Sequence, residues 1–286
     1  MASAKTVVLY HANCPDGFGG AYAAWKKFSE NALYLPVSHG EKPPQEIGGA
    51  HVYLIDFCYP RAIMEEITKR AAEVTVLDHH LGVQDVVESI PEHVFATDHS
   101  GATIAWSYLH PHEPVPALLR YVEDGDLYRF SLPDTHAILS YVYTEPFDFP
   151  SWDSLREKLE DAATRAKLVE KGTLYYAHHQ HIVKKIAESA KRVLFEGYPC
   201  YLASASRFFA SDVGHTLIEK LPPLALILSA RVDGIRVSLR SNGDVDVSAL
   251  ARKYGGNGNP QAAAFSIPYR DSMPWQPLPA PAQEKV

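Results

Sequence analysis

The stretch EVTVLDHH, residues 73–80, decides how the rest of the chain is read. Val74, Val76 and Leu77 form a short apolar run that reads as a buried strand, and the run stops at Asp78, His79 and His80. An acid and two imidazoles are poor packing groups. They are well placed for chemistry, because open α/β sheets bind ligands just outside the carboxyl ends of their strands.

Working outward, two more strands end the same way. Lys5–Tyr10 has a continuous apolar centre, reads as a central parallel strand and runs into His11. His51–Ile55 is apolar and runs into Asp56. A Pro/Gly-marked loop follows His11 (HANCPDGFGG, residues 11–20), then a helix over Phe18–Phe28 and a strand over Ala32–Val37. Glu41–Gly49 reads as a surface loop, and Pro60 opens a helix to Ala72. The order β-α-β-β-α-β predicts a mostly parallel sheet with helices on its faces. A polar residue at one strand end only marks a loop. His11, Asp56 and Asp78 with His79 at three strand ends point to a shared site.

Beyond the sheet, TDHSG (residues 97–101) leads into a helix over Ala102–His110, with Ser100 near its cap. His110 and His112 read as surface residues. A helix over Val115–Val122 runs into Glu123-Asp124-Gly125-Asp126. In isolation that run is a solvated acidic turn, but it is also one of the few remaining carboxylate sources for the site. From Ser151 to about Arg192 the chain is helical, charged and amphipathic, with apolar residues at helical spacing over Leu168–Phe195. His178 and His181 share a face there; a wet helix face is favoured over a metal pair. Strands follow at Pro199–Ala203, Leu224–Arg231 and Ile235–Arg240, with Asp233-Gly234 as a hairpin turn. Val247–Tyr254 reads as a helix, GGNGN (residues 255–259) as a mobile loop and Ala262–Ile267 as a last strand. The proline-rich tail, 271–286, reads as irregular or loosely docked.

Composition narrows the class. The 286 residues carry a formal net charge of −7, which disfavours wrapping long nucleic acid but leaves room for a small phosphorylated substrate. Cys14, Cys58 and Cys200 are too few and scattered for a disulfide framework. No stretch is long and apolar enough to span a bilayer, and MASAKTVVLYH lacks a signal-peptide pattern, so a cytoplasmic location is expected. Histidine nitrogen with aspartate oxygen suits Mn²⁺, and less exclusively Zn²⁺, Fe²⁺ or Co²⁺. Carboxylates bridging two such ions, about 3.5–4 Å apart, form a clamp for phosphoryl transfer.

LDHH, preceded by strand-end Asp56 and the His11-to-Gly17 loop, resembles the DHH phosphoesterase superfamily. RVSLRSNGDVDVSALARKYGGNGNPQAAAF, residues 236–265, resembles that family's second module, DHHA1. The resemblance covers about Val7 to Ile267. It implies an α/β fold: a mostly parallel-sheet DHH domain (1–150) joined by a helical linker (151–194) to a smaller mixed-sheet DHHA1 domain (195–270), with the site in the cleft. It implies metal-dependent hydrolysis of phosphodiester bonds in short oligonucleotides, dinucleotides or related small nucleotides by metal-activated hydroxide. The cofactor implied is Mn²⁺, as two ions or one, with Mg²⁺, Co²⁺ or Zn²⁺ as alternatives.

Carried onto this chain, the resemblance makes His11, Asp16, Asp56, His79 and Asp124 the metal ligands, with Asp126 as the alternative to Asp124 and Asp56 as the bridging carboxylate. Asp78 orients the site and His80 contacts phosphate. Ser100, Arg240, Ser241, Gly255, Gly256, Gly258 and Asn259 complete the substrate-binding set. Two departures stand out. Asn13, Cys14 and Pro15 occupy the region of a second aspartate in the first motif, where Cys14 is a candidate soft ligand and Asn13 a candidate weak oxygen ligand. Asn259 and Ala264 replace a histidine and a glycine of the last motif. A phosphomonoesterase, a cyclic-dinucleotide hydrolase and a non-catalytic nucleotide-binding protein are the alternatives. The expected partner is a small phosphorylated nucleotide or short oligonucleotide, with no membrane and no long duplex; a homodimer is left open.

Overall fold

The computed structural model describes residues 5–38 and 40–279. The first four residues of the N-terminal stretch and residues 280–286 of the tail lie outside the described residues. The chain divides into two compact units between Tyr176 and Ala177.

The first unit runs β1 (Thr6–His11), α1 (Pro15–Phe28), β2 (Ala32–Val37), β3 (His51–Ile55), α2 (Arg61–Arg70), β4 (Glu73–Asp78), α3 (Gln84–Val87), β5 (Glu92–Phe95), α4 (Gly101–Leu109), α5 (Ala117–Asp126), α6 (Thr135–Val142), α7 (Phe149–Glu160) and the start of α8 (Ala162–Glu188). The five strands pair in parallel in the order β2-β1-β3-β4-β5. Strand alternation sends Val8, Ile55 and Leu77 into one core, with Phe18, Leu119 and Trp152 from the helices. It sends Val7, Leu9, Leu54 and Val76 into the other, against Met64, Ile67 and Val87. Both faces are covered, which is why these strands read as nearly continuous apolar runs.

Several local expectations change. Helix α1 starts at Pro15, not Phe18, because proline suits a first helical turn. Glu123-Asp124-Gly125-Asp126 is not a turn after the helix but the last turn of α5. His110 is buried rather than on the surface: its ring stacks on Trp106, with Nε2 3.0 Å from the Ala23 carbonyl oxygen. The short elements α3 and β5, and α6, carry too little periodicity to be read beforehand. His178 and His181 are exposed on α8, and no metal-binding group among the described residues includes them.

The second unit holds the end of α8, then β6 (Lys191–Phe195), β7 (Tyr198–Ser204), α9 (Ala210–Lys220), β8 (Leu224–Ala230), β9 (Gly234–Ser241), α10 (Val247–Arg252), β10 (Asn257–Asn259), β11 (Ala262–Pro268) and β12 (Trp275–Pro277). The mixed sheet has the order β10-β11-β9-β8-β7-β6-β12, and only β7 and β8 run parallel. The helical reading of Leu168–Phe195 therefore runs too far. The chain leaves α8 at Glu188, and Lys191–Phe195 becomes a strand whose Val193 and Phe195 enter the core. Glu196 and Gly197 both have positive φ (51° and 85°), which makes the two-residue turn into β7 that strand twist favours.

GGNGN is not simply a loop, since Asn257–Asn259 pairs with β11. A Cβ at Gly258 would lie 2.4 Å from Ala263 Cα, so glycine permits that pairing. The tail is not irregular throughout, because Trp275 packs on the core and seats β12 against β6. No described helix is long and apolar enough to cross a membrane.

Candidate metal centre

Parallel pairing brings the carboxyl ends of β1, β3 and β4 side by side, and with them His11, Asp56, Asp78 and His79. Asp56 is the first residue beyond β3 and is buried, with φ of 63°, a left-handed backbone that a non-glycine residue adopts at a cost. That conformation turns its carboxylate back across the strand ends. One oxygen, Oδ2, lies 3.3 Å from His11 Nδ1, and the other, Oδ1, lies 3.3 Å from His79 Nε2. Each oxygen thus faces its own imidazole, so Asp56 would be placed to serve metal held by either histidine.

Asp16, in the first turn of α1, is held from the opposite side. Its oxygens accept hydrogen bonds from the Gly101 and Ala102 N–H groups at the start of α4, at 2.7 and 2.9 Å. Helix α4 thereby directs its positive end at this acid. The approach is possible because residue 101 is glycine: a Cβ there would lie 2.6 Å from Asp56 Cβ and 3.0 Å from Asp16 Oδ2. His79 Nε2 is 3.8 Å from Asp16 Oδ2 and 3.6 Å from Asp126 Oδ2, so Asp126 belongs to the group.

Asp124, the ligand preferred on sequence, points elsewhere. Its carboxylate accepts from Ser131 N at 2.9 Å, Ser131 Oγ at 2.7 Å, Leu132 N at 3.1 Å and the Thr135 hydroxyl. With its acceptor sites filled, it ties down the segment after α5. Against the burial that opposes its charge, those hydrogen bonds hold its carboxyl below the usual range.

Asp78 and His80 form a second layer. Asp78 Oδ1 accepts from the backbone N–H groups of His79 (2.7 Å) and His80 (3.2 Å) and lies 2.7 Å from His80 Nδ1. Asp78 Oδ2 is buried and meets no hydrogen-bond donor among the described residues. Burial works against a charged His80, but the Asp78 carboxylate outweighs it and pushes the ring up to about 9. Ser100 is fully buried, so its hydroxyl is not presented to a ligand; its N–H donates to Glu123 Oε2 at 3.0 Å.

The remaining expected residues lie in the second unit. Arg240 donates to Ser211 Oγ at 3.0 Å, and the buried Ser241 hydroxyl accepts from Gly243 N at 3.1 Å. Gly255 and Gly258 have positive φ, a Cβ at Gly256 would lie 2.2 Å from the Ala264 carbonyl oxygen, and Asn259 is exposed.

The donors suit a divalent cation. His11, Cys14 and Asp56 offer ligand atoms all within 4.8 Å of one another, as do Asp16, His79 and Asp126. Two ligands each about 2.0–2.3 Å from one ion fall within that span. The charges also call for a cation. Burial and the neighbouring Asp56 and Asp126 charges hold the Asp16 carboxyl well above its usual range. Burial and Asp56 push Asp126 up to about 6. Asp56 is itself held low: burial opposes its charge, but hydrogen bonds to His11 and His79 prevail.

The uncharacterized protein R106 of Acanthamoeba polyphaga mimivirus is 30% identical to this chain over 288 residues, which cover 91% of this chain and 67% of R106. This chain belongs to the family of R106. No family model matches it. Among solved structures, RecJ from Thermus thermophilus in complex with Mn²⁺ superposes with a TM-score of 0.53 at 16% identity, over 92% of this chain and 49% of RecJ. An exopolyphosphatase-related protein from Bacteroides fragilis gives 0.51 at 15% identity, over 94% of this chain and 87% of that one. The R106-family chain therefore shares the fold of these two proteins, an α/β fold with a mostly parallel first sheet and a mixed second sheet, as expected from LDHH and its flanking motifs.

Proposed function

We propose that this chain is a divalent-metal-dependent phosphoesterase that hydrolyses phosphodiester bonds in short oligonucleotides, dinucleotides or related small nucleotides, with Mn²⁺ as its ion. The observation that carries this reading is Asp56, with one carboxylate oxygen facing His11 and the other facing His79, between the buried Asp16 and the Asp126 carboxylate. The RecJ structure with Mn²⁺, on the same fold, supports the choice of ion. The net charge of −7 supports a small substrate over a long strand held by bulk electrostatics.

In this reading His11, Asp16, Asp56, His79 and Asp126 hold the metal. A divalent ion there supplies positive charge for phosphoryl oxygens and lowers the pKa of a bound water. The chain's own part is positioning and proton control. Asp78 accepts the Nδ1 proton of His80 and fixes the ring, which leaves Nε2 for a phosphate oxygen. Protonated at neutral pH, that imidazolium binds phosphate charge and donates a proton to the leaving oxygen. Arg240 and Gly255–Asn259, in the second unit, are the further residues that the family resemblance assigns to substrate.

The test is a panel of phosphorylated nucleotides of graded length, from mononucleotides through linear and cyclic dinucleotides to twenty-residue single strands, assayed with Mn²⁺ and with chelator. The expected result is cleavage fastest on the shortest phosphodiesters and abolished by chelator. Cleavage only of monoesters or cyclic dinucleotides would move the substrate class. Nucleotide binding unchanged by metal, with no cleavage of any panel member, would overturn the reading.

A further inference from the structure

The metal centre proposed above is built from oxygen and nitrogen except at one place. Cys14 lies between β1 and α1, at the residue before the first helical turn, and its side chain takes no part in helix capping. The turn that presents it passes through Asn13 at φ of 56°, a left-handed backbone that asparagine tolerates better than most residues. The thiol sulfur then falls within 4.8 Å of a ring nitrogen of His11 and a carboxylate oxygen of Asp56. Sulfur and nitrogen donors from the end of β1 and the loop after it thus meet an oxygen donor from the end of β3. The neighbouring group, Asp16, His79 and Asp126, has no sulfur. Cys58 and Cys200 are buried and belong to no such group among the described residues.

We propose that Cys14 is a thiolate ligand to the ion held by His11 and Asp56, and that this position prefers a borderline ion such as Zn²⁺ or Co²⁺ while the Asp16–His79–Asp126 position takes a harder one such as Mn²⁺. The inference rests on the metal centre proposed above and adds to it a difference between its two halves. Thiolate favours softer ions, and carboxylate favours Mg²⁺ and Mn²⁺. On binding, the sulfur–hydrogen bond breaks, the sulfur lone pair forms the bond to the metal and the proton leaves to solvent. No electrons are transferred, and no further reactant is needed.

The experiment titrates Co²⁺ into the chelator-stripped full-length chain and follows the ultraviolet–visible spectrum, with calorimetry as an independent measure of binding. The expected result is a near-ultraviolet thiolate-to-cobalt band that saturates with binding, disappears in Cys14→Ser and persists in Cys200→Ala. In Cys14→Asp, competition titrations are expected to shift the Zn²⁺-over-Mn²⁺ preference toward Mn²⁺ by on the order of tenfold or more. Circular dichroism establishes that each variant is folded. Co²⁺ binding by calorimetry without the band, or an unchanged Zn²⁺-over-Mn²⁺ preference in folded Cys14→Asp, would overturn the thiolate and leave the oxygen–nitrogen centre standing. Failure of both Co²⁺ and Mn²⁺ to bind would overturn the centre itself.

Discussion

Asp124 and Asp126 stand on the same turn of α5 and have different roles. Asp126 faces His79; Asp124 faces inward and holds Ser131, Leu132 and Thr135. Asp126→Asn is expected to weaken Mn²⁺ binding by about 10–100-fold in a calorimetric titration and, at neutral pH, to raise rather than lower the stability of the metal-free protein, because the raised Asp126 pKa is a penalty on the charged form. Asp124→Asn is expected to lower stability by about 1–3 kcal/mol in urea titration, because one pair of buried donors would face an amide NH2 in place of an acceptor oxygen. Asp124's folded pKa is depressed, so its contribution is present above the unfolded value and is lost as pH falls through the folded one. The wild-type and Asp124→Asn stabilities should therefore converge toward acid. Sequence placed this acidic run near the site and preferred Asp124, with Asp126 as the alternative; with Glu123-Asp124-Gly125-Asp126 read as a turn, which side chain faces His79 was undetermined. Gly101 was missed for a related reason: its role is to leave space between Asp16 and Asp56, which are far apart in sequence. Gly101→Ala is expected to abolish tight Mn²⁺ binding while leaving a folded circular dichroism spectrum.

Strands β1 to β4 of the first sheet were legible because their centres are apolar and three of them stop on a polar ligand, whereas the four-residue β5, half polar, was not. The second unit was harder. Lys191–Phe195 continues the apolar spacing of α8, and the local feature that marks it as a strand is the two-residue turn at Glu196-Gly197 that pairs it with β7. The three-residue strands β10 and β12 exist through pairing with β11 and β6, a long-range condition that no short window of sequence contains. Close helix packing is equally hidden. In α8, a Cβ at Gly172 would lie 1.9 Å from the carbonyl oxygen of Ala137 in α6. Gly172→Ala would gain about 1 kcal/mol of helix propensity if α8 stood alone. The backbone clash costs typically about 1–3 kcal/mol, so the expected outcome is net destabilisation, read as a lower melting temperature.

At the scale of the molecule, the metal-free protein carries unneutralised carboxylate charge inside its fold. Asp16 and Asp126 have raised folded pKa values, the latter about 6, so the folded state holds protons that the unfolded chain has released. By linkage Asp126 makes stability fall as pH rises from about 4 to about 6, and Asp16 acts in the same direction. A divalent cation removes that penalty. The gain in melting temperature on adding Mn²⁺ to the stripped protein is therefore expected to grow from pH 5 to pH 7, measured by differential scanning calorimetry. Hydrogen exchange should place the added protection at the strand ends and at the starts of α1 and α4. The most direct test of the central claim, that these strand ends hold the metal that cleaves a phosphodiester, is hydrolysis of a linear dinucleotide by chelator-stripped protein as Mn²⁺ is returned. The account predicts no cleavage without Mn²⁺, recovery on its addition to the wild type, and no recovery in Asp56→Asn; cleavage that survives chelation, or full recovery in Asp56→Asn, would contradict it.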